Sequence, residues 1–137
     1  MIFETDTHRQ FYNDNLKRAK VKDCYSKSLI YILGINRDTR KHFDEIYNVE
    51  TNEIEQEVIN APFQTSGSLA VTRLAFNLFN NTFFDVCNVG DNEESTPNTD
   101  KYTPIEIFTH WASLEYFFEG IRIRLERADE SKQEIIG

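Results

Sequence analysis

Apolar positions recur at steps of three and four along most of this chain, and that period predicts helices. In the opening segment Phe3, His8, Phe11, Tyr12, Asn15, Leu16 and Ala19 mark one face, while Arg9, Lys17, Arg18 and Lys20 mark the other. Thr5 is placed to cap this helix, since a hydroxyl just before the first turn accepts from an otherwise free amide. Asp23 is placed to cap a second helix, Cys24 to Leu33, with Tyr25, Ser28, Leu29, Ile32 and Leu33 on its buried side. Gly34 then suits the left-handed residue that ends many helices. A third helix is expected from Arg37 to about Tyr47, with Asn36 as its cap and Asp38 in the first turn, where the helix dipole favours an anion.

From Tyr47 to Phe63 the helical period fails. Val49, Ile54, Val58 and Ile59 are β-branched, and Thr51–Asn52–Glu53 is a polar turn candidate, which predicts a small hairpin or extended arm over 47–59, ended by Pro62. On a strand Glu53, Glu55 and Glu57 would share one face. Helical spacing returns over 68–81, where Leu69, Ala70, Val71, Leu74, Ala75, Phe76, Leu78 and Phe79 cover most of the circumference. A helix apolar nearly all round is buried on several sides, so this one is expected at the centre. Its one polar stripe, Arg73, Asn77 and Asn80, is either a solvent-facing edge or a set of buried amides that fixes packing. Residues 82–102 read as an acidic loop. Thr103–Pro104–Ile105–Glu106 combines a cap, a first-turn proline and a glutamate that reaches back to the cap amide. The helix it opens runs to about Arg127, with Ile107, Phe108, Trp111, Leu114, Phe117, Phe118, Ile121 and Leu125 on its apolar face. The expected fold is therefore mainly α, a single-domain bundle of about five helices over 1–127 with a small β-hairpin or extended arm. A polar tail, 128–137, is expected to fray.

With 137 residues, 39% of them apolar and 13% aromatic, the chain can bury a core without disulfide or metal staples. It has no apolar run long enough for a membrane span. Cys24 and Cys87 have no CxxC spacing, and the chain opens without a charged and apolar leader, so free thiols in a reducing cytoplasm are expected. The formal net charge is −8, unevenly spread: residues 1–41 carry +4, residues 42–100 carry −10 and residues 101–137 carry −2. An acidic chain is repelled by phosphates at long range, which argues against direct binding of nucleic acid. It suits a protein partner with a basic surface. The carboxylates available for that are Asp44, Glu45, Glu50, Glu53, Glu55, Glu57, Asp91, Glu93 and Glu94.

Catalytic chemistry is not written in the pattern. His8, His42 and His110 lie in three different segments without metal-ligand spacing, and no nucleophile elbow, phosphate-binding glycine loop or calcium loop occurs. No metal, cofactor or enzyme activity is expected. Two polar clusters have a second reading. Thr65, Ser66, Gly67 and Ser68 open the 68–81 helix, where free amides beside hydroxyls can bind an anion, with Arg73 more than one turn downstream and able to help only by folding back. The simpler reading is an ordinary cap and turn. Arg37, Arg40 and Lys41 are neighbours on one helix and can take a phosphate. The simpler reading is a solvated face in ion pairs with Asp38 and Asp44.

In Leu74–Ala75–Phe76–Asn77–Leu78–Phe79–Asn80, Thr103–Pro104–Ile105–Glu106–Ile107–Phe108 and Ile121–Arg122–Ile123–Arg124, the chain resembles a family of uncharacterised short proteins of low-GC Gram-positive bacteria, their phages and mobile elements. The resemblance extends from the first helix to about Arg127, and the polar tail and acidic 82–102 loop depart from it. The family carries no agreed activity, so it transfers no catalytic residue. It implies an accessory protein of a phage or mobile element. Small acidic proteins of that kind inhibit host defence nucleases by filling a basic channel. The leading expectation is thus a non-catalytic protein-binding module of this type. The alternative is a binder of a small anionic, nucleotide-like ligand at a helix N-terminus.

Overall fold

The computed structural model describes residues 1–80 and 114–136, the latter with side chains up to 126. The expectations placed on the 82–102 loop, Asp91, Glu93, Glu94, Cys87, the Thr103 cap, His110 and Trp111 lie outside the described residues. The described chain is mainly helical, with six α-helices and one two-stranded antiparallel sheet.

Helix α1 spans Asp6–Arg18, and the Thr5 side chain accepts from the His8 amide as its cap. Helix α2 spans Cys24–Leu33, and Asp23 accepts from the Ser26 amide at its start. Both begin where their caps predict. Among the described residues the centre of the bundle is shared by α2 and the helix expected there over 68–81. Residues 28–35 of α2 and its exit are buried without interruption, and α2 packs against α1, α5 (Ser66–Asn80) and α6 (Leu114–Ile136). The later helix, α5 (Ser66–Asn80), packs chiefly on α2 and keeps a partly solvated stripe, with Arg73 and Asn77 half-buried and Asn80 exposed. Phe76 is fully buried on its inner side.

Gly34 does end α2, but in right-handed geometry (φ −77°, ψ −10°). The reason for glycine is space. A Cβ there would lie 2.7 Å from His8 Cδ2 and 2.7 Å from Phe11 Cδ1, so a side chain would push α1 away. The expected third helix is broken at His42 into α3 (Arg37–Lys41) and α4 (Phe43–Ile46). Asn36 caps α3 as expected, accepting from the amides of Asp38 and Thr39. The break lets His42 turn onto Phe63, ring on ring at 3.9 Å.

The hairpin is shorter than expected. Strands β1 (Tyr47–Asn48) and β2 (Glu53–Ile54) pair Tyr47 with Ile54 and Asn48 with Glu53. Asn52 takes the left-handed conformation at φ 60°, which Asn tolerates better than most side chains, and the Tyr47 hydroxyl donates to its side-chain oxygen. Residues Gln56–Asn60 then form a 3-10 turn instead of extending the strand. A strand would point Val58 and Ile59 to opposite sides. The turn buries Val58 fully and Ile59 partly against the core, so packing overrides β-propensity.

The last helix, α6 (Leu114–Ile136), continues through the segment expected to fray. Its inward face is set by Phe117, Gly120 and Ile123, while Phe118 and Leu125 are about half exposed (52% and 53%) and not on the apolar face assigned to them. Gly120 explains the rotation. A Cβ there would clash with Ile32 Cδ1 and lie 2.6 Å from Ile32 Cγ1, so α2 and α6 touch at that point. Arg124 lies over the Tyr25 ring at 3.9 Å and donates from Nε to the Leu78 carbonyl at 2.7 Å, which ties α6 to both α2 and the end of α5.

Two tests follow from these contacts. Gly120→Ala gains about 1 kcal/mol of helix propensity. It should still lose about 1–3 kcal/mol to overpacking against fully buried Ile32, giving a lower denaturation midpoint. The second concerns His8, which is fully buried, with Nε2 donating to the Tyr31 carbonyl at 2.8 Å and Nδ1 accepting from the Glu4 amide at 3.1 Å. The Glu4 contact needs the neutral ring, since a protonated Nδ1 cannot accept. Burial lowers its pKa below the ordinary 6.5, the Tyr31 carbonyl opposes this, and Arg40 adds to the lowering. The unfolded chain therefore binds the extra proton first as pH falls below about 6.5, and stability drops with it. The stability excess of the parent over His8→Gln should be full above pH ~6.5 and shrink towards pH ~5 in urea titrations. A constant gap would show that His8 is not the titrating group.

Candidate functional site

Two surfaces carry the polar side chains that the sequence singles out. The first is built by α1 and α3. The exit from α2 turns α3 back across α1, and Thr39 anchors it by donating to the carbonyls of Leu33 and Asn36. With Thr39 pointing inward, Arg37, Arg40 and Lys41 face the outer side of α1 across a cleft of about 500 Å³. Thr7, Gln10, Phe11, Asp14 and Asn15 form the opposite wall. Phe11 is held there edge-to-face on Phe43, with ring centroids 5.1 Å apart. Asp14 accepts from Gln10 Nε2 at 2.8 Å, and Asn15 is occupied by the Phe11 carbonyl and Arg18.

Arg40 sits deepest of the three cations. Its Nη1 donates to the Gly34 carbonyl at 2.7 Å. Burial lowers its pKa, Glu4 works against that, and the neighbouring Arg37 lowers it further. The ion pairs expected with Asp38 and Asp44 do not form: Asp44 pairs with Arg18 at 3.0 Å instead. Among the described residues, Arg37, Arg40 and Lys41 make no ion pair.

The second polar cluster behaves as the simpler reading has it. Thr65 Oγ1 accepts from the Ser68 amide at 3.1 Å, and Ser68 Oγ accepts from the Thr65 amide at 2.8 Å, a reciprocal cap. Ser68 Oγ also donates to Gln64 Oε1 at 2.6 Å, and Thr72 donates to the Ser68 carbonyl at 2.8 Å. These hydroxyls are spent on the fold. Ser66, Gly67 and Arg73 do not join Arg37, Arg40 and Lys41, for the cleft walls include nothing from 65–73.

The second surface is acidic. Asp44, Glu45, Glu50, Glu53, Glu55 and Glu57 are all exposed. Three of them are matched inside the chain: Asp44 by Arg18, Glu45 by His42 Nδ1 at 2.7 Å, and Glu50 by Lys20 at 3.9 Å. Glu53, Glu55 and Glu57 make no ion pair among the described residues. They do not share one strand face as expected, because the 3-10 turn begins at Gln56. They follow one another along an exposed ridge anchored by Ile54 and Val58.

Sequence reasoning missed the cleft as a unit, since Phe11 and Asp14 lie on a different helix from the three cations. It also missed the His42–Phe63 stack. Among the described residues no three His, Cys, Asp or Glu side chains gather to hold a metal ion, and no helix is long and apolar enough to cross a membrane. No curated protein and no solved structure matches the chain. A family model does, over residues 1–136, so the tail that reads as a departure lies within the match, and the chain belongs to a family of unknown function (DUF6075).

Proposed function

We propose that the protein is a non-catalytic binding module of the cytoplasm that engages a basic protein surface through the ridge Glu53, Glu55 and Glu57. The observation that carries this reading is their state. They are exposed and without ion pairs among the described residues, whereas Asp44 and Glu50 face Arg18 and Lys20 and Glu45 bonds to the His42 ring. Unmatched carboxylates on a ridge held by a hairpin and a 3-10 turn attract Lys and Arg grooves without prior ordering of a loop. The partner class that fits is a protein whose groove binds nucleic-acid phosphates, such as a defence nuclease, for which carboxylates are electrostatic substitutes. The excess of acidic over basic groups across 42–100 supplies attraction at longer range.

The test uses the full chain as bait in a lysate of a low-GC Gram-positive bacterium, alongside Glu53→Lys/Glu55→Lys/Glu57→Lys and a control reversal at Glu126, Asp129 and Glu130. A partner should be held by parent and control, lost by the ridge variant, and released as salt rises, because exposed charges are screened over about 8 Å at physiological ionic strength. With the purified partner, the ridge variant should slow association more than it speeds dissociation. The variant should fold, since all three side chains are exposed. Equal binding by the parent and the ridge variant across the salt series would overturn the reading.

A further inference from the structure

We infer that the cleft between α1 and α3 is a binding site for a small phosphomonoester that carries a flat apolar group, such as a nucleoside monophosphate. The inference is independent of the acidic ridge. It begins from a local imbalance. In a chain with 23 acidic side chains against 15 basic ones, three neighbouring cations would be expected to collect carboxylates. Arg9, Arg18 and Arg122 do so, pairing with Asp6, Asp44 and Glu119. Arg37, Arg40 and Lys41 line one cavity and make no ion pair among the described residues.

The fold holds this arrangement in place. Arg40 cannot swing out to solvent without leaving the Gly34 carbonyl, and that bond sets its guanidinium at the inner end of the cluster. Arg40 and Lys41 stand three and four residues after Arg37, so both are its neighbours on α3. A guanidinium fixed by one bond keeps further N–H groups for a planar oxyanion, which suits phosphate.

Charge sets the class of ligand. The ionisable side chains in the walls are three cations and Asp14, a formal sum of +2 that Glu4, acting on Arg40, partly offsets. A phosphomonoester near neutral pH carries about −1.5 to −2, which nearly cancels it. A polyanion such as nucleic acid would cancel it too, but would have to lie along a chain whose overall charge is −8. A single small dianion meets no such opposition. The apolar component comes from the other wall, where Phe11 is half-buried and its ring is fixed by Phe43. The cleft is shallow and open, and its space of about 500 Å³ lets a ligand larger than a bare phosphate lie against both walls.

The probes are adenosine monophosphate, inorganic phosphate and adenosine, titrated into the full chain and followed by backbone amide shifts and calorimetry. Adenosine monophosphate should bind tightest and shift amides in α3 and around Phe11 and Asp14. Arg37→Gln/Lys41→Gln should weaken it about tenfold or more, the loss expected for charge-assisted hydrogen bonds, with an unchanged melting midpoint because both side chains are exposed. Asp14→Asn should tighten phosphate and adenosine monophosphate alike. Phe11→Leu should weaken adenosine monophosphate about tenfold and leave inorganic phosphate unchanged. Three results would overturn the inference: equal affinity for phosphate and adenosine monophosphate, binding by Arg37→Gln/Lys41→Gln equal to the parent, or shifts spread over Arg9, Arg18 and Lys20 as much as over α3.

Discussion

The structure depends on one obligation, that the buried C-terminal end of α2 must satisfy its backbone carbonyls. A helix leaves its last four C=O groups without intrahelical partners, and water cannot serve them where residues 28–35 are buried. They are met from three parts of the chain. His8 donates to the Tyr31 carbonyl from α1, Ile35 to Ile32 along the exit, Thr39 to Leu33 from α3, and Arg40 to Gly34. Remove this set and α1, α3 and the exit from α2 lose their mutual placement. The positive charge of Arg40 also lies where the helix dipole favours a cation.

That capping has consequences at the surface. Because Thr39 points inward to serve α2, its neighbours Arg37, Arg40 and Lys41 point to α1 and form a cleft wall. Because Gly34 admits His8 and Phe11 at close range, Phe11 stands at the opposite wall instead of being displaced. The N-terminal residues are held by the same centre. The Tyr31 hydroxyl donates to the Ile2 carbonyl at 2.7 Å, and the Phe3 ring packs on His8, Tyr12 and Tyr31. Burial pushes the Tyr12 phenol up to about 12, Glu126 adding to the rise, so it stays a neutral member of this cluster.

Much of this was legible in the sequence where the signal is local. Thr5, Asp23 and Asn36 cap the helices they precede, because a short polar side chain beside a free amide needs no tertiary information. Signals that depend on partners were less legible. Helical period alone placed Phe118 and Leu125 inside, but Gly120 against Ile32 fixes the rotation of α6 and leaves them at the surface. β-branched residues at 54, 58 and 59 suggested one strand, yet the core needed Val58 and Ile59 on the same side. The share of the centre that α2 takes was hidden by its length of 10 residues, shorter than α5 with 15. The cleft was half-visible. The three cations were adjacent in sequence, but their freedom from Asp38 and Asp44 is a fact of tertiary structure.

The family resemblance and the two surfaces occupy different residues, and this bears on where function can reside. Leu74, Ala75, Phe76 and Leu78 are core, Ile123 is fully buried, and Arg124 closes the end of α5 through the Leu78 carbonyl. Most of the described part of these motifs is therefore spent on packing α5 and α6, with Asn80 and Arg122 at the surface. Such residues specify a shape and leave its use open, because a buried side chain meets no ligand. The cations of α3 and the carboxylates of 53–57 lie outside those motifs, on short elements whose backbones are fixed by Thr39 in one case and by Val58 in the other. Each is a charged group held outward by a buried neighbour in the same short segment. The core thus sets charge of opposite sign on separate surfaces of a small molecule, and recognition of a partner or ligand would act through the surfaces that the motif does not mark.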